Sequence, residues 1–507
     1  MAHQDNDSVV ESRPTGEFQI NDVESGNEGE DSFDLSNTGL AAEYNGLVEF
    51  DGEIIMVDSP DWRNSMTLKA QILTAYVVFI LFGLVEQTVG TLIPKFQEFY
   101  GVDDVETSLV FLASFTGYFS MALLNNFMHN SFGLKGVTVL GVSSMTLAYL
   151  IISFKPPYFI FVLCYILSGI GFGSLDACLN TWMGSLTDSN QLLGILHGCY
   201  GIGCMISPPM ITGLLERKKG AWTWNEYYEL LAIIGSFCLV LSIICFRRET
   251  PKKYKYMSIK RGKDLAEDKD LSMNDTEESI PMSSLERDES NTETSPEEES
   301  TDINETASSA LKSRLIWFLS LILFLYVGGE VAFGQWLVSF MIRIKNAKYK
   351  SASYIATSFW TGLTVGRIAL GFVTARFFRN ELVANMTYIL ASFCGFFIFW
   401  LSYNTSWYFI LGVYVFLTGC FVGPIFPTTI VSSIRVLPAK YHTSGIGIIC
   451  ALGGGGGAGV PFIVGLIAES SESGLRLLPA VIGFIFLILA ALWWILMTRF
   501  QTNVNYN

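Results

Sequence analysis

Twelve apolar runs, six before and six after a long polar insert, constrain this chain more than any other feature of its sequence. They begin near Gln71, Thr107, Gly136, Tyr158, Leu192 and Tyr227, and then near Leu315, Ala352, Val383, Trp407, Gly445 and Leu477. A bilayer with a hydrocarbon core of about 30 Å is crossed by about 20 helical residues, the size of each run. Inside lipid the backbone groups must be satisfied within the span, so runs of this kind read as helices. The expected fold is an all-α membrane protein with twelve transmembrane helices in two six-helix bundles.

Composition supports lipid as the solvent. Charged residues make up 16% of the 507, against about 25% in an ordinary soluble chain. The net charge of −15 does not contradict this, because the acids are localised. About a third lie in residues 1–66 and another third between Asp264 and Glu305. Such acidic, Ser/Thr-rich stretches bury too little apolar surface to order themselves. The expected organisation is a disordered acidic N-terminal tail over 1–66 and a first bundle over 67–248. A disordered acidic loop over 249–311, a second bundle over 312–500 and a short tail over 501–507 complete it. No basic-then-apolar leader opens the chain, so the first span is expected to act as an uncleaved anchor. The nine cysteines all fall in apolar stretches and imply small buried residues rather than a disulfide framework.

Lys and Arg set orientation, since acids contribute little. With the N-terminus inside, Arg247, Arg248, Lys252, Lys253, Lys255, Lys260, Arg261, Arg376, Arg379, Arg435, Lys440 and Arg499 are cytoplasmic. Arg217, Lys218, Lys219, Arg343, Lys345, Lys348 and Lys350 fall outside. Both termini and the acidic loop are therefore expected in the cytosol, of a plasma-membrane or vacuolar protein.

The two sets of six are copies of one another. FGLVEQTVGTLIPKF in helix 1 aligns with YVGGEVAFGQWLVSF in helix 7, matching Glu86 with Glu330, Gly90 with Gly334 and Phe96 with Phe340. Helices 2 and 8 share Thr116-Gly117 and Thr361-Gly362, and helices 4 and 10 share LSGIGFG and LTGCFVG. Helices 5 and 11 match Gly201 with Gly453, Pro209 with Pro461 and Gly213 with Gly465. The offset is 244 residues at Glu86 and 252 at Pro209. Four matches at nearly one offset point to a duplication, and bundles related in this way enclose a site at their interface near the midplane.

A charge at a helix centre costs about 2.5–3.5 kcal/mol on insertion scales, so each one requires a reason. Four lie deep in the predicted spans: Glu86, Asp176, Glu330 and Arg367. If all were ionised, the cavity would hold an excess of two negative charges, which repulsion and desolvation both oppose. At least one acid is therefore expected to be protonated or to hold a cation, the property that ion coupling needs.

Gly169, Gly173, Asp176 and Asn180 share one helical stripe, on which two glycines admit a partner helix and two polar groups line the space beside it. Asp176 is either a coupling or binding acid or one hydrogen-bonded to a neighbour for packing. Gly194, His197, Gly198, Gly201 and Met205 make a similar stripe on helix 5, with Tyr200 beside it. His197 would shuttle protons or donate to solute, or be a satisfied structural histidine. Glu86 and Glu330 occupy equivalent positions. Gln335 and Trp336 follow Glu330 by about a turn and would offer an aromatic plate beside a carboxylate. The alternative for the two glutamates is a symmetric pair of structural acids. Arg367, in GRIALG, reads as a gating or packing residue paired to an acid. The run Gly453 to Gly457 lies within a span and reads as a thin, bendable wall in helix 11, with Pro209 and Pro461 at equivalent points of helices 5 and 11.

FGLVEQTVGTLIP, GIGFGSLDACLN, LHGCYGIGCMISPP, GGEVAFGQWL and GLTVGRIALG together resemble the fucose-permease-like branch of the major facilitator superfamily. The resemblance spans residues 68–500 apart from the insert. It implies proton-coupled transport of a sugar-like solute, with Asp176 where the bacterial fucose–proton symporter has its coupling glutamate and Asn180 where it has an asparagine. Two departures stand out. The symporter's other carboxylate falls at Gly90, whereas the acid here is Glu86, one turn earlier. The superfamily's basic motif between helices 2 and 3 is reduced to Asn126, Asn130, Gly133, Leu134 and Lys135. With its acidic segments, the chain is also similar to the fungal bypass-of-stop-codon transporter-like proteins.

The leading expectation is a monomeric, proton-coupled transporter of a small polar solute, with no cofactor, no metal and no nucleic-acid partner. The competing class is a non-transporting receptor or scaffold signalling through its acidic segments, where Ser59-Pro60, Thr250-Pro251 and Ser295-Pro296 are candidate phosphorylation sites. An enzyme finds no support in paired histidines, a phosphate loop or a nucleophile with a base.

Overall fold

The computed structural model describes residues 47–260 and 312–500, except 51, 58, 258, 379, 403, 406, 439–441 and 471–473. The acidic stretches 1–46 and 261–311, with Ser295-Pro296, and the tail 501–507 lie outside the described residues. Twelve spans are present among the described residues. They are α1 (Met66–Tyr100), α2 (residues 104–132), α3 (residues 134–153), α4 (Tyr158–Gly184), α5 (Ser189–Leu215) and α6 (Trp224–Cys245), followed by α7 (Arg314–Arg343), α8 (Tyr349–Phe377), α9 (Glu381–Ser402), α10 (Tyr408–Val436), α11 (His442–Glu469) and α12 (Leu478–Phe500). Ten of the twelve are long and apolar enough to cross a membrane on composition alone; α2 and α8 complete the count.

Local chemistry sets the ends and breaks. Ser65 accepts the Leu68 N–H at the start of α1, and Gly101 ends it in the left-handed region at φ 66°. An Asp103–Glu106 capping box opens α2. Gly133, at φ 66° and ψ 179°, separates α2 from α3. The Thr250–Pro251 backbone lies against it so closely that an added Cβ would fall 2.5 Å from the Thr250 carbonyl carbon.

The duplication is visible in the packing. α1 crosses α5 where Gly203 meets the Ile80 carbonyl, and α7 crosses α11 where Gly456 meets the Phe324 carbonyl; an added Cβ would lie 2.2 and 1.9 Å from the oxygen. α2 packs on α4 as α8 packs on α10. Between the halves, α2 meets α11, α5 meets α8, and α1 meets α7. Small residues at these crossings let helices approach where lipid offers no hydrophobic driving force.

Two parts of the chain outside the spans depart from the disorder expected for residues 1–66 and 249–311. Leu47–Phe50 and Glu53–Met56 form an antiparallel hairpin, and residues 251–257 are helical. The alternation of Val48, Phe50, Ile55 and Val57 gives the hairpin one apolar face, which closes on Tyr256 in a small second core. Phe50 meets the Tyr256 ring edge-on at 5.6 Å, and Lys252 pairs with Glu53 at 3.0 Å. Acid content averaged over the whole segment hid this short alternation. The cysteines are all free, and Cys394 on α9 is exposed where burial was expected.

Candidate functional site

The break in α10 begins the site. Its helix stops at Val422 and resumes at Ile425. Pro427 has no N–H to offer the Gly423 carbonyl one turn back. Arg367 on α8 takes that carbonyl through Nε at 3.3 Å, and Tyr326 on α7 donates to the Val422 carbonyl at 3.0 Å. The same guanidinium donates from Nη2 to Glu330 on α7 at 2.8 Å. Glu330 and Arg367 are thus a buried ion pair, with side chains 5% and 15% exposed. Arg367 thus stands beside an acid of the neighbouring helix.

The other two acids have no such partner. Among the described residues neither Glu86 nor Asp176 forms an ion pair. Asp176 on α4 accepts from Tyr118 of α2 at 3.0 Å and from its own-helix neighbour Asn180 at 2.8 Å. Glu86 on α1 is held by Gln335 of α7, whose amide donates to the Glu86 backbone carbonyl at 2.8 Å and to its carboxylate at 3.4 Å. Both acids are half-buried although each lies well inside a span.

The remaining candidates divide into two groups. His197 lies between Phe79 of α1 at 6.0 Å and Phe426 of α10 at 6.4 Å, so it bridges the halves. Tyr200 stacks edge-on with Phe82 and Trp360, and lies within electrostatic reach of Glu86, Glu330 and Arg367. Glu86, Gln335, Glu330, Arg367, His197 and Tyr200 therefore form one neighbourhood. Asp176 and Asn180 form a second, bounded by Tyr118 and by Gly454 of α11, where an added Cβ would meet the Tyr118 ring at 2.8 Å. Trp336 belongs to neither: it is fully buried in the second half and donates to the Pro461 carbonyl at 3.0 Å. Gly453 packs on Leu323 and Gly457 beside Val331, so α11 is thin against α7; Pro209 lies half-buried in α5.

Tyr118, Tyr326 and Gln87 were not among the sequence candidates. Tyr326 precedes Glu330 by four residues, a spacing that places both on one helix face. Tyr118 carries no such signal, because its partner lies on another helix.

The hydrogen bonds and ion pairs that join the halves through two described residues lie from this level toward the face opposite the start of α1. Arg343 of α7 donates to both Asp104 oxygens at 2.7 and 2.6 Å, while the Asp104 N–H donates to Glu469 of α11 at 3.2 Å. Tyr349 donates to the Thr91 carbonyl at 2.8 Å, and Thr212 to Ser353 at 2.6 Å. That face is closed.

Comparison with known proteins agrees with this architecture. The family model described as Major Facilitator Superfamily matches residues 75–459. Bypass of stop codon protein 6 of Saccharomyces cerevisiae is 32% identical over 473 residues, covering 92% of this chain and 89% of that protein. The glucose/mannose transporter GlcP of Bacillus subtilis is 23% identical over 403 residues, covering 78% and 88%. The crystal structure of the Escherichia coli fucose:proton symporter FucP superimposes with a TM-score of 0.52 at 14% identity, covering 83% of this chain and 98% of the other. With twelve spans in two duplicated bundles around buried polar groups, this chain belongs to the Major Facilitator Superfamily of membrane transporters.

Proposed function

We propose that the chain is a proton-coupled secondary transporter of a small, sugar-like solute, working by alternating access. The observation that carries this reading is the imbalance among the deep charges. Glu330 and Arg367 neutralise each other, leaving Glu86 and Asp176 without a cation and half-buried at the interface of the bundles. An acid in that position is held most cheaply by a proton, and a proton that leaves and returns couples solute movement to the proton gradient. Asn180, His197 and Tyr200 supply the neutral polar and aromatic surface that a hydroxylated solute binds. The relatives named for glucose/mannose transport and fucose:proton symport support the same substrate class. With the Lys/Arg-rich face taken as the cytosolic one, the closed far face is the outer one.

The test is uptake of labelled hexoses into proteoliposomes under an imposed pH gradient. One pH unit drives about tenfold accumulation per coupled proton. Asp176→Asn and Glu86→Gln are expected to equilibrate solute without concentrating it. Undiminished proton-driven accumulation in both variants removes these acids from coupling. The scaffold reading is tested separately by deleting residues 264–305, which leaves the flux of a transporter intact.

A further inference from the structure

α1 and α7 belong to different halves, and they cross through a reciprocal pair of carboxamides. Gln87 of α1 donates to the Gly334 carbonyl of α7 at 3.2 Å, and Gln335 of α7 donates to the Glu86 carbonyl of α1 at 2.8 Å. Gly90 admits the approach: a Cβ there would lie 2.6 Å from the Gln335 Cα. Both glutamines are almost fully buried, at 0% and 1% exposure. The two arms of the clasp differ in one respect. Gln87 touches only backbone, whereas the Gln335 amide is shared with the Glu86 carboxylate at 3.4 Å. One arm is therefore blind to ionisation and the other is not.

We propose that Gln335 is the positioning residue that transmits the charge state of Glu86 to the opposite bundle, strengthening the α1–α7 clasp when Glu86 is ionised and loosening it when Glu86 is protonated. The inference rests on Glu86 being a proton-carrying acid. A hydrogen bond to a charged acceptor is about twice as strong as a neutral one. The difference is worth about fivefold to tenfold in the ratio of far-face-closed to far-face-open molecules. Because the bond exists in the closed state, acidification is expected to shift molecules toward opening. Other charged or titratable groups within reach of Glu86 are Glu330 on α7, Tyr200 and Cys204 on α5 and Tyr149 on α3. Arg367 on α8 is tied to Glu330. None of these bonds the Glu86 side chain; Gln335 does.

The experiment needs no solute. Spin labels at Lys219→Cys and Lys350→Cys, both exposed on the far face of opposite halves, in full-length protein with the exposed Cys394 changed to Ser, report their separation in lipid nanodiscs between pH 5 and pH 8. The unsubstituted clasp is expected to show a longer separation gaining population at low pH, by about fivefold. Glu86→Gln abolishes the pH dependence. Gln335→Leu, and the straight-chain Gln335→Met as a second variant should the first fail to fold, abolish it with Glu86 still in place. Gln87→Leu weakens closure at every pH and keeps the pH dependence. A full pH response in Gln335→Leu or Gln335→Met overturns the role of Gln335 and leaves Glu86 as the sensor. A response that survives Glu86→Gln, or none in the starting protein, overturns both this inference and the proton-carrying role of Glu86.

Discussion

Glu330 and Arg367 show how one residue's neighbours decide its part. The pair is buried, so removing one member leaves a charge in oil, which costs about 3–5 kcal/mol, whereas removing both together with apolar replacements is near neutral. Arg367→Leu is therefore expected to lower the melting temperature of the purified protein sharply, and Glu330→Leu combined with Arg367→Leu to recover the part due to the unpaired charge, the Gly423 carbonyl still lacking its Arg367 donor. Equal melting temperatures for single and double variants would show that Glu330 is neutral without its partner. At this scale the sequence was legible where one helix holds the whole pattern. Asp176 and Asn180, which bond to each other, lie on a single stripe of α4. Trp336 was misleading for the opposite reason: its place after Glu330 says nothing about which way its indole turns, and Pro461 of α11 holds it away from the site. The Gln335 contact is equally invisible in the chain, because it depends on how closely α1 and α7 cross.

Among the helices, glycine decides where two backbones touch. In the run Gly453–Gly457, Gly456 faces the Phe324 carbonyl with room for no Cβ, while Gly457 would place one at an ordinary 3.5 Å from Val327 and Val331. Gly456→Ala is expected to push α11 off α7 and destabilise the protein by about 1–3 kcal/mol, the range for overpacking a tight interior. Gly457→Ala is expected within about 0.5 kcal/mol of the parent. Thermal melting of the two variants in detergent discriminates, and equal effects would show that α11 adapts as a whole. Span number, the two sets of six and the matching of helix 5 with helix 11 could all be read in advance, because apolar length and internal offset are linear properties of the chain. The turn at Gly133 requires glycine, since its φ is 66° and the close Thr250–Pro251 backbone leaves no room for a side chain. The hairpin at Leu47–Met56 was missed, since four residues per strand is too short a pattern to stand out from its acidic surroundings.

For the whole molecule, what matters is which face the two bundles close. Asp104 is the knot of the far face: it receives Arg343 and Gln97 through its carboxylate and gives its N–H to Glu469, joining α1, α2, α7 and α11. Its side chain is 2% exposed, but that of Arg343 is 37% exposed, so solvent screens part of the attraction. About 1 kcal/mol is a fair magnitude for the pair, which corresponds to roughly fivefold in the balance between closed and open far faces. Ser353, buried under the Thr212 contact on that face, is a natural reporter. A cysteine there is expected to resist a membrane-impermeant thiol reagent in the parent and to react about fivefold faster when Asp104→Asn or Arg343→Gln is added. The two substitutions together should do no more than either alone, because they cut one bond from opposite ends. An additive effect would mean that Asp104 and Arg343 act through separate contacts, Asp104 through Gln97 of α1. An unchanged rate in all three would place the closing force in the helix crossings beneath, where α2 meets α11 and α5 meets α8.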